Sequence, residues 1–291
     1  MRVFLTGATG FIGSHIVPEL IGAGHRVLGL TRSEAGARAL VAAGAEPHRG
    51  DLEDLGSLRS GAAMSDGVIH CAFIHDFSKF AENGQIDKRA IEALGAVLAG
   101  SDRPLIVSGG IGPWAATEDD DHPEQSPTPR LSEPAAMALI PQGVSAAVMR
   151  LPQVHDTTRF GLVSSLIGIA REKGVSAYIG DGQTRWPAAH VLDVARLYRL
   201  ALDRRQAGAR WHAVAEEGVT MKAIAEAVGR ALKLPVVSLS TEEAPAHFGF
   251  FAMFAGVDLA SPSDLTRQRL GWTPTGPGMI EDLDNMQLAG V

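Results

Sequence analysis

The chain begins with a short apolar run that ends in three regularly spaced glycines, MRVFLTGATGFIGSH. The run VFL at residues 3–5 predicts a buried strand, and the apolar residues after the glycines predict a helix. A glycine turn between a strand and a helix presents unpaired N–H groups at the positive end of the helix dipole, which favours phosphate. We expect Gly7 to permit the tight turn, Gly10 a close approach to a pyrophosphate and Gly13 close helix packing. The pattern predicts a dinucleotide site; a ligand-free turn is the alternative.

The chain after this loop alternates strand-like and helix-like runs. We predict strands at residues 2–6, 26–32, 67–73, 103–110 and 143–152, and a short one within 45–52 that ends at Asp51. Helices are expected between them, including a long one at 78–98 and a short one at 133–141. Such alternation predicts the α/β class, with a Rossmann-type, doubly wound parallel sheet covered by helices on both faces.

Charge and cysteine content exclude several classes of protein. Lysine plus arginine total 26 and aspartate plus glutamate 33, which gives a formal charge of -7. The sequence has no basic block, so we expect no binding to nucleic acid or to an anionic membrane. The single cysteine, Cys71, permits no disulfide within the chain, and no apolar run approaches the ~18 residues of a membrane span. We therefore expect a cytoplasmic protein.

Several motifs along the chain resemble one family. They are TGATGFIG at 6–13, GDL at 50–52, HCA at 70–72, LIVS at 105–108, RLP at 150–152 and HVLDVA at 190–195. Together they resemble the extended short-chain dehydrogenases/reductases, also called the NAD-dependent epimerase/dehydratase family. The resemblance covers most of the chain and is more specific for the fold than for the reaction.

The resemblance implies where a nicotinamide dinucleotide lies. Asp51 is expected to accept from the adenine amino group, and the Leu151–Pro152 turn to line the nicotinamide. The implied cofactor residues are Gly7, Thr9, Gly10, Phe11, Ile12, Gly13, Asp51, Leu52, Cys71, Ala72, Phe73, Leu151 and Pro152.

The resemblance also implies a division of the chain. Residues 1–155 are expected to form the dinucleotide-binding domain, with 190–213 returning to it. Residues 156–291 are expected to form mainly a smaller C-terminal substrate lobe over the nicotinamide. A homodimer through the helices near 78–98 and 131–141 is a further expectation from the resemblance.

The end of the second strand indicates which dinucleotide binds. An acidic residue there would bond a ribose 2′-hydroxyl, but this strand ends in Thr31, Arg32 and Ser33, with no acid before Glu34. Arg32 can meet a phosphate with two hydrogen bonds, and the two hydroxyls are further donors. We predict NADP(H); the alternative is that Arg32 is a solvated loop residue.

The catalytic pair of the resembled family is missing. The family uses a tyrosine and a lysine four residues later, but the only tyrosines, Tyr178 and Tyr198, lack such a lysine. Our catalytic candidates are Ser108, at a strand end, and His190, which titrates in a useful range. Capping or packing is the alternative role for both. We expect residues 118–122, EDDDH, to form a solvated loop rather than a metal site, so no metal is predicted.

Three hypotheses for function follow. The leading one is an NADPH-dependent oxidoreductase that reduces a small, largely apolar carbonyl or imine substrate without the usual Tyr-Lys pair. The second is a non-catalytic NADP(H)-binding sensor or regulatory protein, which the missing tyrosine would allow. The third is an epimerase or lyase of the same fold. It is disfavoured for sugar nucleotides because residues 235–262 contain no lysine or arginine, while 244–254 carry four phenylalanines.

Overall fold

A seven-stranded parallel sheet forms the centre of the N-terminal half. The computed structural model describes residues 1–123 and 128–287. The strands in this part of the chain are β1 (Arg2–Thr6), β2 (Arg26–Thr31), β3 (Glu46–Arg49), β4 (Gly67–His70), β5 (Ser101–Gly110), β6 (Val144–Leu151), β7 (Gln153–His155), β8 (Ser176–Ile179), β9 (Arg185–His190), β10 (Arg210–His212), β11 (Glu216–Thr220) and β12 (Val236–Leu239). The large sheet has the parallel order β10-β6-β5-β4-β1-β2-β3. The order reverses between β1 and β4, where α/β folds form their ligand crevice.

Helices cover both faces of this sheet, as predicted for a Rossmann-type fold. The helices in the described part of the chain are α1 (Phe11–Gly22), α2 (Glu34–Ala42), α3 (Leu55–Ala63), α4 (Phe80–Leu98), α5 (Ser132–Met137), α6 (Val163–Lys173), α7 (Val191–Arg204), α8 (Met221–Leu232), α9 (Ala244–Phe248), α10 (Ala252–Ala255), α11 (Asp264–Leu270) and α12 (Met279–Asp284). One core lies between the sheet and helices α1 and α7. A second core lies on the opposite face, under α3, α4 and α5. The α/β class and the doubly wound parallel sheet are thereby confirmed.

Helix α7 packs against the large sheet, although α6 and β8, which precede it in the chain, belong to the smaller region. Its buried residues include Val191, Val194, Leu197, Tyr198 and Ala201, spaced three or four apart, and they form one apolar stripe. The stripe packs in the same core as α1. Strand β10 then pairs with β6 and completes the sheet.

The remaining strands build a smaller region beside the sheet. Strands β11, β9 and β7 form one sheet, and β12 pairs with β8. A third core binds them to helices α6, α8 and α12, with Phe160, Trp186 and Phe248 among its buried side chains. No helix in the described part of the chain is long and apolar enough to cross a membrane.

Several element boundaries differ from the sequence predictions; the third strand, for example, ends at Arg49 rather than at Asp51. The strand predicted at 67–73 ends at His70, because residues 71–73 leave the sheet and border a cavity. The helix predicted from residue 78 begins as a 3-10 turn at Phe77–Lys79, and α4 starts only at Phe80. The helix predicted at 133–141 divides into α5 and a 3-10 turn at Ile140–Gln142, which ends at Gly143 in the left-handed conformation (φ 79).

Candidate functional site

A large cavity of about 1030 Å³ lies at the carboxyl ends of the parallel strands. Loops that follow β1, β2, β3, β4, β5 and β6 line it on the sheet side. The opposite wall comes from the C-terminal half, through Arg159 and the apolar side chains Met253, Phe254, Val257 and Leu259. Its volume is at the upper end of the range for ligand sites, about 300–1,000 Å³.

The glycine loop has the shape that a pyrophosphate requires. Gly7 has φ +69, and a Cβ on it would lie 2.8 Å from the backbone nitrogen of Ala72. A Cβ on Gly13 would lie 2.0 Å from the carbonyl oxygen of Gly7, so the helix could not pack this closely with any other residue there. Gly10 precedes α1 without a capping side chain, and residues 10–13 line the cavity. The first-turn N–H groups are therefore available to an anion.

The carboxyl end of β2 also borders the cavity, through Thr31 and Arg32. Arg32 is exposed there and has no salt bridge with any residue within 1–123 or 128–287. The nearest acid in sequence, Glu34, pairs instead with Arg49 at 3.1 Å. Ser33 does not line the cavity, because its hydroxyl caps α2 by accepting from the N–H of Gly36 at 3.0 Å.

Asp51 lines the same cavity as the glycine loop. Its Oδ1 accepts from the backbone N–H groups of Glu53 and Asp54, at 2.9 and 3.0 Å. These bonds fix the carboxylate in a turn. No described residue bonds to its second oxygen, which is thus available to an amino group.

Nearly all of the predicted cofactor residues meet in this one cavity. The residues that line it are Gly7, Thr9, Gly10, Phe11, Ile12, Gly13, Thr31, Arg32, Asp51, Leu52, Cys71, Ala72, Phe73, Leu151 and Pro152. Ser33 is the exception. These residues come from five separate loops, and the parallel sheet brings the loops to one edge.

Ser108, one of the two catalytic candidates, lies beneath the cavity and does not line it. Its hydroxyl donates to the carbonyl of His70 at 2.8 Å. That hydroxyl has one proton, so Tyr198, at 2.6 Å, must be the donor in the second hydrogen bond. Burial raises the pKa of the Tyr198 phenol well above its ordinary value and also raises the pKa of the neighbouring Cys71 thiol. Both groups therefore stay protonated.

His190, the other catalytic candidate, lies away from the cavity. It precedes α7 and its Nδ1 accepts from the N–H of Leu192 at 3.4 Å. Its Nε2 is 4.0 Å from the carboxylate of Asp282, and its ring is 5.9 Å from that of His155. The structure therefore assigns His190 a capping position, the alternative considered from the sequence.

Arg130 is a charged residue of the cavity that was not among the sequence predictions. Its Nε donates to the hydroxyl of Ser132 at 3.0 Å, and its Nη2 donates to the carbonyl of Ser108 at 3.1 Å. The guanidinium carbon lies 4.4 Å from the ring centre of Phe73, a cation–π distance. A signal was present, since Arg130 is the only lysine or arginine between residues 109 and 149.

A chain of buried hydrogen bonds fixes the position of Ser132, the residue that accepts from Arg130. The Ser132 hydroxyl donates to Asp87 at 2.6 Å, and Asp87 bonds to His70 at 2.9 Å. His70 in turn bonds to the hydroxyl of Thr6 at 2.9 Å. Burial raises the pKa of Asp87, but hydrogen bonds and the charges of His70 and Arg130 outweigh it, so the net pKa is lowered. Asp87 is therefore an ionised carboxylate that is linked to the Arg130 guanidinium through two hydrogen bonds, by way of the Ser132 hydroxyl.

The acidic segment at 118–122, which we predicted to be a solvated loop, is solvated only in part: the side chains of Asp119 and Asp121 are 63% and 86% exposed. Glu118 is buried and accepts from the N–H of Thr266 at 2.6 Å. Asp119 pairs with Arg269 at 2.7 Å, and Asp121 pairs with Arg210. The carboxylates thus attach this loop to the C-terminal half, and no metal-binding group of three or more acidic, histidine or cysteine residues occurs within 1–123 and 128–287.

An aromatic cluster closes the apolar end of the cavity. Phe254 lines the cavity, whereas Phe250 is 41% exposed and does not. The ring of Phe250 lies 5.7 Å from that of Phe77 and 6.3 Å from that of Phe80. This cluster joins the loop before α4 to the segment of α9 and α10.

Comparisons with known proteins agree with this geometry. The profile of the NAD dependent epimerase/dehydratase family matches residues 3–92. The chain is 49% identical to the uncharacterized protein C2A9.02 of Schizosaccharomyces pombe over 290 residues, 97% of this chain and 98% of the other. It is 41% identical to the uncharacterized protein YLL056C of Saccharomyces cerevisiae, over 97% of this chain and 98% of the other. Among solved structures it resembles the dTDP-glucose 4,6-dehydratase DesIV of Streptomyces venezuelae, with NAD and TYD bound (TM-score 0.73, 19% identity, 98% of this chain and 95% of that one).

Proposed function

Because the chain belongs to the NAD-dependent epimerase/dehydratase family of extended short-chain dehydrogenases/reductases, we propose that it is an NADPH-dependent oxidoreductase that reduces a small, largely apolar carbonyl or imine. One observation carries this proposal. The cavity runs without a break from the glycine loop to the apolar wall of Met253, Phe254, Val257 and Leu259. A dinucleotide on the loop would therefore share one enclosure with an apolar molecule.

The residues present fit a nicotinamide dinucleotide phosphate. The open N–H groups of residues 11–13 would hold the pyrophosphate, and Asp51 would accept from the adenine. Arg32, free of acidic partners among the described residues, would meet the 2′-phosphate. When bound, NADPH supplies a hydride at the nicotinamide end.

The protein side of the reaction rests on Arg130 in place of a tyrosine. Tyr198 is fully buried, and its pKa is raised by burial, so it cannot serve as the acid facing the substrate. The Arg130 guanidinium lines the cavity and presents N–H donors to an oxygen that gains negative charge. The proton that completes an alcohol product would come from water, since arginine does not release its own.

A spectrophotometric assay tests the proposal directly. Purified protein is given NADPH and a panel of apolar ketones, aldehydes and cyclic imines, and NADPH consumption is followed. We expect turnover of at least one class, with product formed in equal amount. Absence of turnover over the whole panel, in protein that binds NADPH, would contradict the reductase proposal.

A non-catalytic NADP(H) sensor is the second candidate, and one observation favours it. Neither Ser108 nor His190 lines the cavity. For a sensor we expect tight NADPH binding that changes the melting temperature, without consumption of NADPH in the presence of any panel compound. The same assay therefore separates the two candidates.

A further inference from the structure

Arg130 is a fixed cation in a mostly apolar cavity. Two of its N–H groups donate to the Ser132 hydroxyl and the Ser108 carbonyl, at 3.0 and 3.1 Å. Its face rests on Phe73. Each of these partners is neutral, so they orient the guanidinium without neutralising it. The side chain is thus prevented from turning towards solvent.

No carboxylate within residues 1–123 and 128–287 contacts this guanidinium directly. Asp87 reaches it only through the Ser132 hydroxyl. The other nearby acid, Glu133, is occupied by Arg150 at 2.6 Å and by Arg210 at 2.8 Å. A partly buried cation without an ion-pair partner is poorly neutralised, and an anion that enters the cavity would pair with it.

The free donors of Arg130 have the geometry for a carboxylate. A guanidinium carries five N–H donors in a planar fork, and the described partners use two of them. Since Arg130 lines the cavity, the others are available to a ligand. Such a fork matches the two oxygens of a carboxylate.

The surroundings of this cation are apolar. Phe73, Phe80, Trp114 and Phe254 line the same cavity. Aromatic walls of this kind bury the hydrocarbon part of a ligand, while a few placed polar groups fix its orientation. A ligand that satisfies both features has one anionic end and one apolar body.

We propose that the cavity binds a small apolar monocarboxylate whose carboxylate pairs with Arg130. The proposal rests on the proposed function and narrows its substrate class to an apolar oxo acid. It also disfavours a protonated imine, because the cation of such a substrate would be repelled by the Arg130 guanidinium.

Binding measurements test this without any turnover. Phenylacetate and hexanoate are titrated calorimetrically into the protein saturated with NADP⁺, and each is compared with its neutral amide. We expect the acids to bind about tenfold to a hundredfold more tightly than the amides, the range for one hydrogen-bonded charge pair. This comparison needs no variant, so it holds even where a substitution prevents folding.

Matched substitutions then locate the anion. Arg130→Gln should abolish the preference for acid over amide, and Arg130→Lys should retain part of it. Arg159 is the competing position, because it lines the cavity but is exposed; Arg159→Gln should leave the preference intact. Thermal melts establish that each variant is folded.

Three results would overturn the proposal. They are equal binding of acids and amides by the unsubstituted protein, loss of the preference in Arg159→Gln rather than in Arg130→Gln, and tighter binding of UDP than of either acid. The reductase proposal fails separately: a protein that selects acids through Arg130 yet never consumes NADPH would keep the carboxylate site and lose the reaction.

Discussion

In the proposed function, Arg32 is the residue that distinguishes NADPH from NADH. Its guanidinium is exposed at the cavity, and Glu34, the nearest acid along the chain, is turned to Arg49. Arg32→Ala should weaken NADPH binding about tenfold to more than a hundredfold, the value of a charge-assisted bond of roughly 1.5–3 kcal/mol. NADH binding should change little, because it lacks the 2′-phosphate. Calorimetric titration of both cofactors measures this.

Arg59→Ala is the matched control for that experiment. Arg59 lies on α3 and is exposed, but it does not line the cavity. We expect its removal to leave the ratio of NADPH to NADH affinity unchanged. If the unsubstituted protein binds NADH as tightly as NADPH, our interpretation of Arg32 is wrong.

Tyr198 is predicted to matter for stability and not for catalysis. Its buried hydroxyl donates to Ser108, so Tyr198→Phe leaves a buried acceptor with one partner fewer. We expect the free energy of unfolding to fall by about 1–3 kcal/mol, with kcat little changed. Urea denaturation and the NADPH assay measure the two effects. A loss of kcat by a factor of about 10²–10⁴ would instead restore a tyrosine acid.

Tyr178→Phe serves as the comparison for that variant. Tyr178 lies on β8, outside the residues that line the cavity, with the Lys222 ammonium 6.0 Å from its ring centre. We expect neither stability nor kcat to change appreciably. A similar loss of stability in both variants would show that the Ser108 bond is not the cause.

At the scale of elements, the segment from α9 to α10 forms the apolar wall of the site. Phe254 lines the cavity, and Phe250 packs outside it on Phe77 and Phe80. Phe254→Ala should raise KM for an active substrate by roughly tenfold to a hundredfold, since about 1.5–3 kcal/mol of apolar contact is lost. Phe250→Ala should leave KM nearly unchanged. Steady-state kinetics with melting curves measures both, and a drop in melting temperature without a change in KM for Phe254→Ala would assign it to the core.

The strands and helices of the N-terminal half could be predicted because their apolar periodicity is strong. The run VFL in β1 is buried completely, and so are Val68 and Ile69 in β4. Strand ends were less certain, since Cys71 and Phe73 are apolar yet leave the sheet to border the cavity. Composition alone does not distinguish an apolar residue in a strand from one that lines a ligand site.

Most residues that line the cavity near the glycine loop could be predicted from the sequence, whereas the position of Arg130 could not. The conformation of the glycine loop depends on residues adjacent in the sequence, so the spacing of its glycines predicts it. Arg130 depends on partners distant in the chain, Asp87 through Ser132 and the carbonyl of Ser108. His190 and Ser108 carry suitable chemistry, but only the folded chain shows that their side chains are engaged elsewhere.

At the scale of the whole molecule, buried histidines determine how the free energy of unfolding changes as the pH falls. His155 and His212 are fully buried, and burial lowers the pKa of each, although Asp282 opposes this at His155. In the unfolded chain a histidine takes up a proton below about pH 6.5. The unfolded state then binds more protons than the folded state, so stability is full above that pH and falls as the pH decreases.

We therefore expect the free energy of unfolding to decrease steadily from about pH 7 to about pH 5. Urea denaturation followed by tryptophan fluorescence at several pH values measures it. Asp87 adds to the loss only at lower pH, because its lowered pKa lies below the ordinary carboxylate range. Constant or rising stability between about pH 7 and about pH 5 would contradict this account.

The position of α7 and β10 has a consequence for synthesis on the ribosome. The apolar stripe of α1, with Ile16 and Leu20, is covered by α7, and the outer edge of β6 is covered by β10. Helix α7 and strand β10, which lie within residues 191–212, are translated only after the first part of the smaller region. A nascent chain that has emerged only to His155 exposes that stripe and an unpaired strand edge, which is the kind of surface that chaperones bind and that aggregates in their absence.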